Sequence, residues 1–252
     1  PFGDPSILPT YHVSRIATDH TTVALTGDAG DENFAGYDRY GWDRLASTAS
    51  RIPSPVTSAA SGALAATPTL LSNVRMARYA RRFLDATSAD EVSRYAEFIC
   101  HADDEQVDRI WQGRPVPPEF ATLRAAFDRA DGPTRLDRLQ QVDFETYLPD
   151  DLLTKADRAS MAHAVEVRSP FLDHRLAEFA ARVPAKYKYR RGEEKWLLKR
   201  ACDDLLPEAV ASRSKQGFGI PVHEWFRGPL RPMARERLER LGNRPEFDRS
   251  AL

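Results

Sequence analysis

Residues 21–46 read TTVAL followed by TGDAGDENFAGYDRYGWDRLA, and the fold turns on this stretch. Thr21, Thr22, Val23, Ala24 and Leu25 form a short β-branched run closed off by Gly27, which suits a buried strand over 22–25. Beyond it, glycines and acids give way to a helical pattern whose apolar face holds Phe34, Tyr37 and Leu45. On the amino-terminal side, Ile7, Leu8, Tyr11 and Ile16 fall near helical spacing across 5–17, with Pro9 close enough to the start to be tolerated. Helix, strand, glycine-acid turn, helix is the order of a piece of an open α/β sheet.

Farther along, helical patterns dominate. Residues 49–70 are a Ser, Ala and Pro-rich connection enclosing a weak helix at 56–66, and 74–84 is helical with Arg75, Arg78, Arg81 and Arg82 around it. Those arginines read as a solvated face, because no aromatic or glycine platform for RNA accompanies them. Ser88 and Glu91 have capping-box spacing, and helices follow at 104–111, 118–130 and 135–147, with another at 229–241. Only Val23 to Leu25 makes a convincing strand, so the expected fold class is α/β with mostly helix and few strands.

The 252 residues are 42% hydrophobic and 29% charged, a globular balance, and 36 Lys and Arg against 37 Asp and Glu leave a net charge of -1. That excludes a generally basic nucleic-acid binder, and no apolar run reaches the roughly 20 residues of a membrane helix. The first residues show no secretory signal pattern, and Cys100 and Cys202 lack metal or disulfide-framework spacing. A cytoplasmic protein with no nucleic-acid or membrane partner is the expectation.

Four constellations could carry chemistry. In the first, Thr26, Gly27, Asp28, Ala29, Gly30, Asp31 and Glu32 sit at the strand's carboxyl end, where open sheets collect ligands. Its acids would repel a bare phosphate, so they imply Mg²⁺ or a cationic partner; helix capping is an equally good reading. In the second, Asp151, Lys155 and Arg158 share one helix stripe beside Asp150 and Asp157, and surface ion pairing is favoured. In the third, Arg168 and Asp173 flank Ser169-Pro170 and are read as pairing across a proline turn. In the fourth, Lys215 precedes Gly217-Phe218-Gly219, where a flexible ammonium suits a phosphate. The six histidines show no ligand spacing, and His163 reads as a packed residue.

Taken in order, PFGDPSILPTY, VALTGDAGDENFAGYDRY, LPDDLLTKADRASMAHAVEVRSPFLDHRL, GEEKWLLKRA and SRSKQGFGIPVHEWF resemble the synthetase domain of the glutamine-dependent asparagine synthetase family. The resemblance runs from the first residue to about Trp225, with a diverged middle at 49–135. It implies an adenine nucleotide alpha hydrolase-like fold, a doubly wound parallel sheet of which this chain holds a mostly helical part. It also implies ATP and Mg²⁺ as cofactors. A carboxylate becomes an acyl-adenylate with release of pyrophosphate, and ammonia from a glutaminase domain then forms the amide.

By position, the resemblance assigns Thr26 and Gly27, with Gly30, to nucleotide contact and Asp31 to Mg-pyrophosphate. Asp28 would orient or deprotonate the attacking nitrogen, with Asp151 or its neighbour Asp150 as partner acid. Lys215 would stabilise the adenylation transition state, and Lys195 would contact phosphate. Residues 133–230 are expected to fold back and bring Lys215 towards Asp28 and Asp31.

The family's upstream pyrophosphate loop, Ser-Gly-Gly-x-Asp-Ser, and its glutaminase domain are not among these residues. The expectation is therefore a partial synthetase domain over 1–252, a piece of a longer family enzyme, expected as a homodimer when full length and inactive as this piece alone. Two smaller departures are Ala29 where Gly is usual and Asn33 where an apolar residue is usual. Aspartate is the expected carboxylate. A β-lactam-forming, macrolactam-forming or sugar-acid-amidating relative, or a non-catalytic partner-binding protein, is the alternative.

Overall fold

The computed structural model describes residues 2–49, 90–100, 104–114, 120–211 and 219–252. Helix α1 (Ile7–Ala17) leads into strand β1 (Val23–Leu25), then the short α2 (Gly30–Phe34) and α3 (Asp38–Ala49). After the diverged middle come α4 (Glu91–Ile99), α5 (Asp104–Ile110), α6 (Ala121–Arg129) and α7 (Arg135–Glu145). A π-helical turn, Leu148–Leu153, runs into α8 (Thr154–Met161), strand β2 (Glu166–Arg168) and a 3-10 turn, Pro170–Leu172. Helices α9 (His174–Arg182), α10 (Ala185–Lys188), α11 (Trp196–Ala201), α12 (Glu208–Ala211), α13 (Val222–Arg227) and α14 (Arg231–Gly242) complete the described elements.

The mostly helical α/β expectation agrees with this order. Among the described residues the sheet has two strands, and they are parallel, with Val23 opposite Glu166, Ala24 opposite Val167 and Leu25 opposite Arg168. The Glu166 N–H donates to the Thr22 carbonyl at 2.8 Å and the Thr26 N–H to the Arg168 carbonyl at 2.9 Å, extending the ladder at both ends. Strand β2 escapes sequence reading because Glu-Val-Arg has neither length nor a β-branched run. The expected burial of β1 is corrected: Val23 is 41% and Leu25 75% exposed, since two paired strands leave their outer residues open.

The main core lies among helices instead. Tyr40 of α3, Val92, Tyr95 and Ala96 of α4, Leu123, Ala126 and Phe127 of α6, and Leu139 and Val142 of α7 form one buried cluster. Helix α7 begins with a capping box between Thr134 and Asp137, which satisfies orphan N–H groups at its start. Helix α4 is capped by Asp90, which accepts from the Val92 and Ser93 N–H groups; those bonds and the Ser93 hydroxyl pull its carboxyl down to about 2. The expected Ser88 box is thereby corrected. Glu91 faces Arg135 at 2.7 Å and Arg138 at 3.3 Å, and Ser88 lies outside the described residues.

Two local ion-pair expectations are also corrected. Arg168 pairs with Glu166 at 2.8 Å, while Asp173 caps α9 by accepting from the Arg175 N–H and holds the Arg175 side chain at 2.8 Å. Lys155 does not serve its own helix stripe; its ammonium meets Asp4 at 2.6 Å and the Ser6 hydroxyl at 2.8 Å. Burial pushes the Asp4 carboxyl up, but the bonds from Lys155 and Ser6 outweigh it and hold it below the usual range. This pair fastens the segment before α1 to α8, and α1 packs along α8. His163 is packed as expected, its ring edge-on to Tyr11 at 4.2 Å. The arginine-bearing helix at 74–84 and the weak helix at 56–66 lie outside the described residues.

Candidate active site

Strand β1 delivers the chain into the 26–31 turn at the open carboxyl end of the sheet. There the Thr26 hydroxyl donates to the Asp28 carboxylate at 2.9 Å, and the Gly30 N–H closes the turn onto the Gly27 carbonyl at 3.1 Å. The Ser169 hydroxyl, just beyond β2, donates to the Asp28 carbonyl at 2.5 Å, so the second strand buttresses the first strand's turn. Among the described residues, no atom lies within 4 Å of where a Cβ on Gly27 would stand, so none of them blocks the approach of a ligand on that side.

Ala29 occupies the left-handed region at φ 65°, where Gly is at home and an L-residue pays about 1–2 kcal/mol. The usual glycine of the resemblance is therefore a conformational requirement that this chain meets at a cost. Ala29→Gly is expected to raise stability by about 0.5–1 kcal/mol, read as a higher urea midpoint; an unchanged or lower midpoint contradicts the strain. Asn33, the other departure, has its own explanation. It is buried, and its side-chain amide donates to the Phe171 carbonyl at 2.8 Å, pinning α2 to the 3-10 turn.

The three acids of the stretch part company. Asp31 points to Lys195, whose ammonium lies 2.8 Å from its carboxylate, and both side chains are partly exposed. Lys195 itself sits at φ 51° just before α11, a placement that aims it back at the turn. Gly36 makes the pair possible. A Cβ there would fall 2.0 Å from the Asp31 carboxylate and 2.1 Å from the Lys195 Cε. Glu32, by contrast, is 1% exposed and accepts from the Tyr37 hydroxyl at 2.5 Å. Burial pushes its carboxyl up despite that bond, and it belongs to the scaffold, where sequence reading had it among the acids facing a ligand.

Asp150 and Asp151 lie on the π-helical turn, in the wall of a separate cleft of about 530 Å³ that Asp4, Phe120 and Tyr147 also line. The structure thus joins Thr26 with Asp28 and Asp31 with Lys195, and places the two further acids on a neighbouring segment. Residues 133–230 fold back to the turn where they are described, through β2 on β1 and Lys195 on Asp31, while Lys215 lies outside the described residues.

Sequence reading missed a buried network beside the turn. Asp143, fully buried, accepts through one oxygen from Arg39 at 2.9 Å, from the Tyr40 hydroxyl at 2.5 Å and from the Tyr95 hydroxyl at 2.7 Å. Burial, then the Asp143 charge, hold both phenols protonated far above their ordinary range. The only local signal was the Tyr37-Asp38-Arg39-Tyr40 alternation; its acceptor stands 104 residues away from Arg39.

The entire chain, residues 1–252, matches the asparagine synthase family. The chain belongs to the asparagine synthase family. It is 28% identical over 235 residues to asparagine synthetase [glutamine-hydrolyzing] 1 of Bacillus subtilis, covering 93% of this chain and 36% of that protein. It is 42% identical over 89 residues to asparagine synthetase [glutamine-hydrolyzing] of Gallus gallus, covering 32% of this chain and 16% of that one. Amidase chry2 of Gibberella zeae is 27% identical over 234 residues, covering 82% of this chain and 33% of its own length. This asparagine synthase-family chain therefore spans about a third of the Bacillus relative's length. No solved structure matches it. Among the described residues, no helix is long and apolar enough to cross a membrane.

Proposed function

We propose that these residues form part of an ATP-dependent amide-forming synthetase, making asparagine from aspartate. In the first step, a side-chain carboxylate oxygen of aspartate attacks the α-phosphorus of ATP, and the bond to pyrophosphate breaks. In the second, ammonia delivered by a glutaminase domain attacks the acyl carbon, AMP leaves, and the nitrogen gives up a proton.

The carrying observation is the Asp31–Lys195 pair on a turn whose Gly27 side no described residue fills, at the sheet's carboxyl end. Adenylation joins two anions, so cations and N–H donors fixed in advance are what the chemistry needs. Thr26 and Gly27, with Gly30, suit backbone contact with the nucleotide, and Lys195 a phosphate. Asp31 suits Mg²⁺ bound to pyrophosphate, since Mg²⁺ is commonly held by one or two carboxylates with phosphates and water as its other ligands. Among the described residues no group of three or more His, Cys, Asp or Glu is placed to hold a metal. Asp28, with Asp151 or Asp150, is assigned to the attacking nitrogen, and Lys215 to the departing pyrophosphate.

The test is product formation by the full-length polypeptide that carries these residues. With aspartate, ATP and ammonium chloride, asparagine, AMP and pyrophosphate are expected in equal amounts. ADP and phosphate as products, or no aspartate-dependent turnover, would overturn the proposal.

A further inference from the structure

The acidic turn and the segment bearing Asp151 are joined by one side chain. The Arg39 guanidinium lies 3.7 Å from the centre of the Tyr37 ring and 4.4 Å from that of Tyr147, and the two rings stand 5.9 Å apart at 81°. Its fork is fixed from a third direction by fully buried Asp143 at 2.9 Å. Tyr37 reaches Glu32, the residue after Asp31, through its hydroxyl. Tyr147 is the residue immediately before the π-helical turn Leu148–Leu153, a rare geometry often found at functional sites. Burial lifts the Tyr147 phenol, the Arg39 charge lowers it and the Asp151 charge lifts it, so both charged groups act on the same ring.

We propose that Arg39 is a positioning residue, which sets the Asp151 segment relative to the acidic turn by holding Tyr37 and Tyr147 edge to face around a cation fixed by Asp143. A buried ion pair adds little stability over an apolar replacement, but its planar fork and the two rings set at right angles around it define one orientation. Lysine keeps the charge and loses both the fork and the guanidinium's contact with two rings at once. The role rests on the function proposed above, in which adenylation uses the turn and amide formation needs Asp28 and its partner acid together.

Two partial reactions of the full-length polypeptide separate the cases. Aspartate-dependent exchange of labelled pyrophosphate into ATP reads adenylation, and asparagine formed from ammonium chloride reads the whole sequence. In Arg39→Lys, asparagine formation is expected to fall about 10–100-fold while exchange changes by less than about twofold, the scale expected of an ångström-level misplacement. Tyr147→Leu, which removes one of the two rings at the cation, carries the same expectation should Arg39→Lys fail to fold. Arg240→Gln, which breaks an exposed ion pair with Glu236 on α14, is expected to leave both rates unchanged. Parallel loss of both rates in the first two variants, or no loss in either, would overturn the positioning role. A wild-type protein without aspartate-dependent exchange would overturn the functional reading, and the role with it.

Discussion

Asp143→Ala is expected to lower the unfolding free energy by about 3–5 kcal/mol, because it strands a buried cation together with two buried hydroxyls. Arg39 keeps only 12% side-chain exposure and Asp143 none, so water cannot take over the lost bonds. Against a typical total of about 5–15 kcal/mol, that loss leaves a marginal fold. Asp143→Asn retains the shape and some hydrogen bonding and is expected to cost about half as much. Urea unfolding of the two variants beside the unaltered protein is the measurement. A shift under about 1 kcal/mol for Asp143→Ala would show that the network is not holding α3, α4 and α7 together.

Gly36→Ala carries the largest expected effect on chemistry. The added methyl falls on the Asp31 carboxylate and the Lys195 stem, the flexible ends of two side chains, so the fold can survive by pushing them apart. The ion pair cannot survive in place. If Asp31 and Lys195 manage the pyrophosphate charge, aspartate-dependent pyrophosphate exchange is expected to fall about 10²–10³-fold, with little change in unfolding midpoint. Asp31→Asn, which alters charge without adding volume, is expected to lose a similar factor. Normal exchange in both variants would remove the pair from the mechanism.

Much of the site could be read from neighbouring residues. A β-branched run stopped by glycine announced β1, and glycines interleaved with acids announced the turn. What was not legible depended on distant partners. Local spacing assigned Lys155 to its own helix, but the carboxylate it meets belongs to Asp4, 151 residues away. The same logic paired Arg168 with Asp173, whereas each found a nearer partner in Glu166 and Arg175. Glu32 looks like its neighbours in sequence, yet α2 turns it inward onto Tyr37. Gly36 gave no sign of its role, since a missing side chain matters only once two others converge on its space. Strand β2 is three residues of mixed character and becomes a strand through its register with β1.

The central claim is that the protein joins a carboxylate oxygen to the α-phosphorus of ATP. The most direct measurement supplies the full-length polypeptide with aspartate carrying ¹⁸O in its side-chain carboxylate, together with ATP and ammonium chloride, and weighs the AMP. The account predicts one ¹⁸O atom in each AMP formed. AMP without the label would contradict it, because the nucleotide would then have been cleaved without ever being joined to the carboxylate.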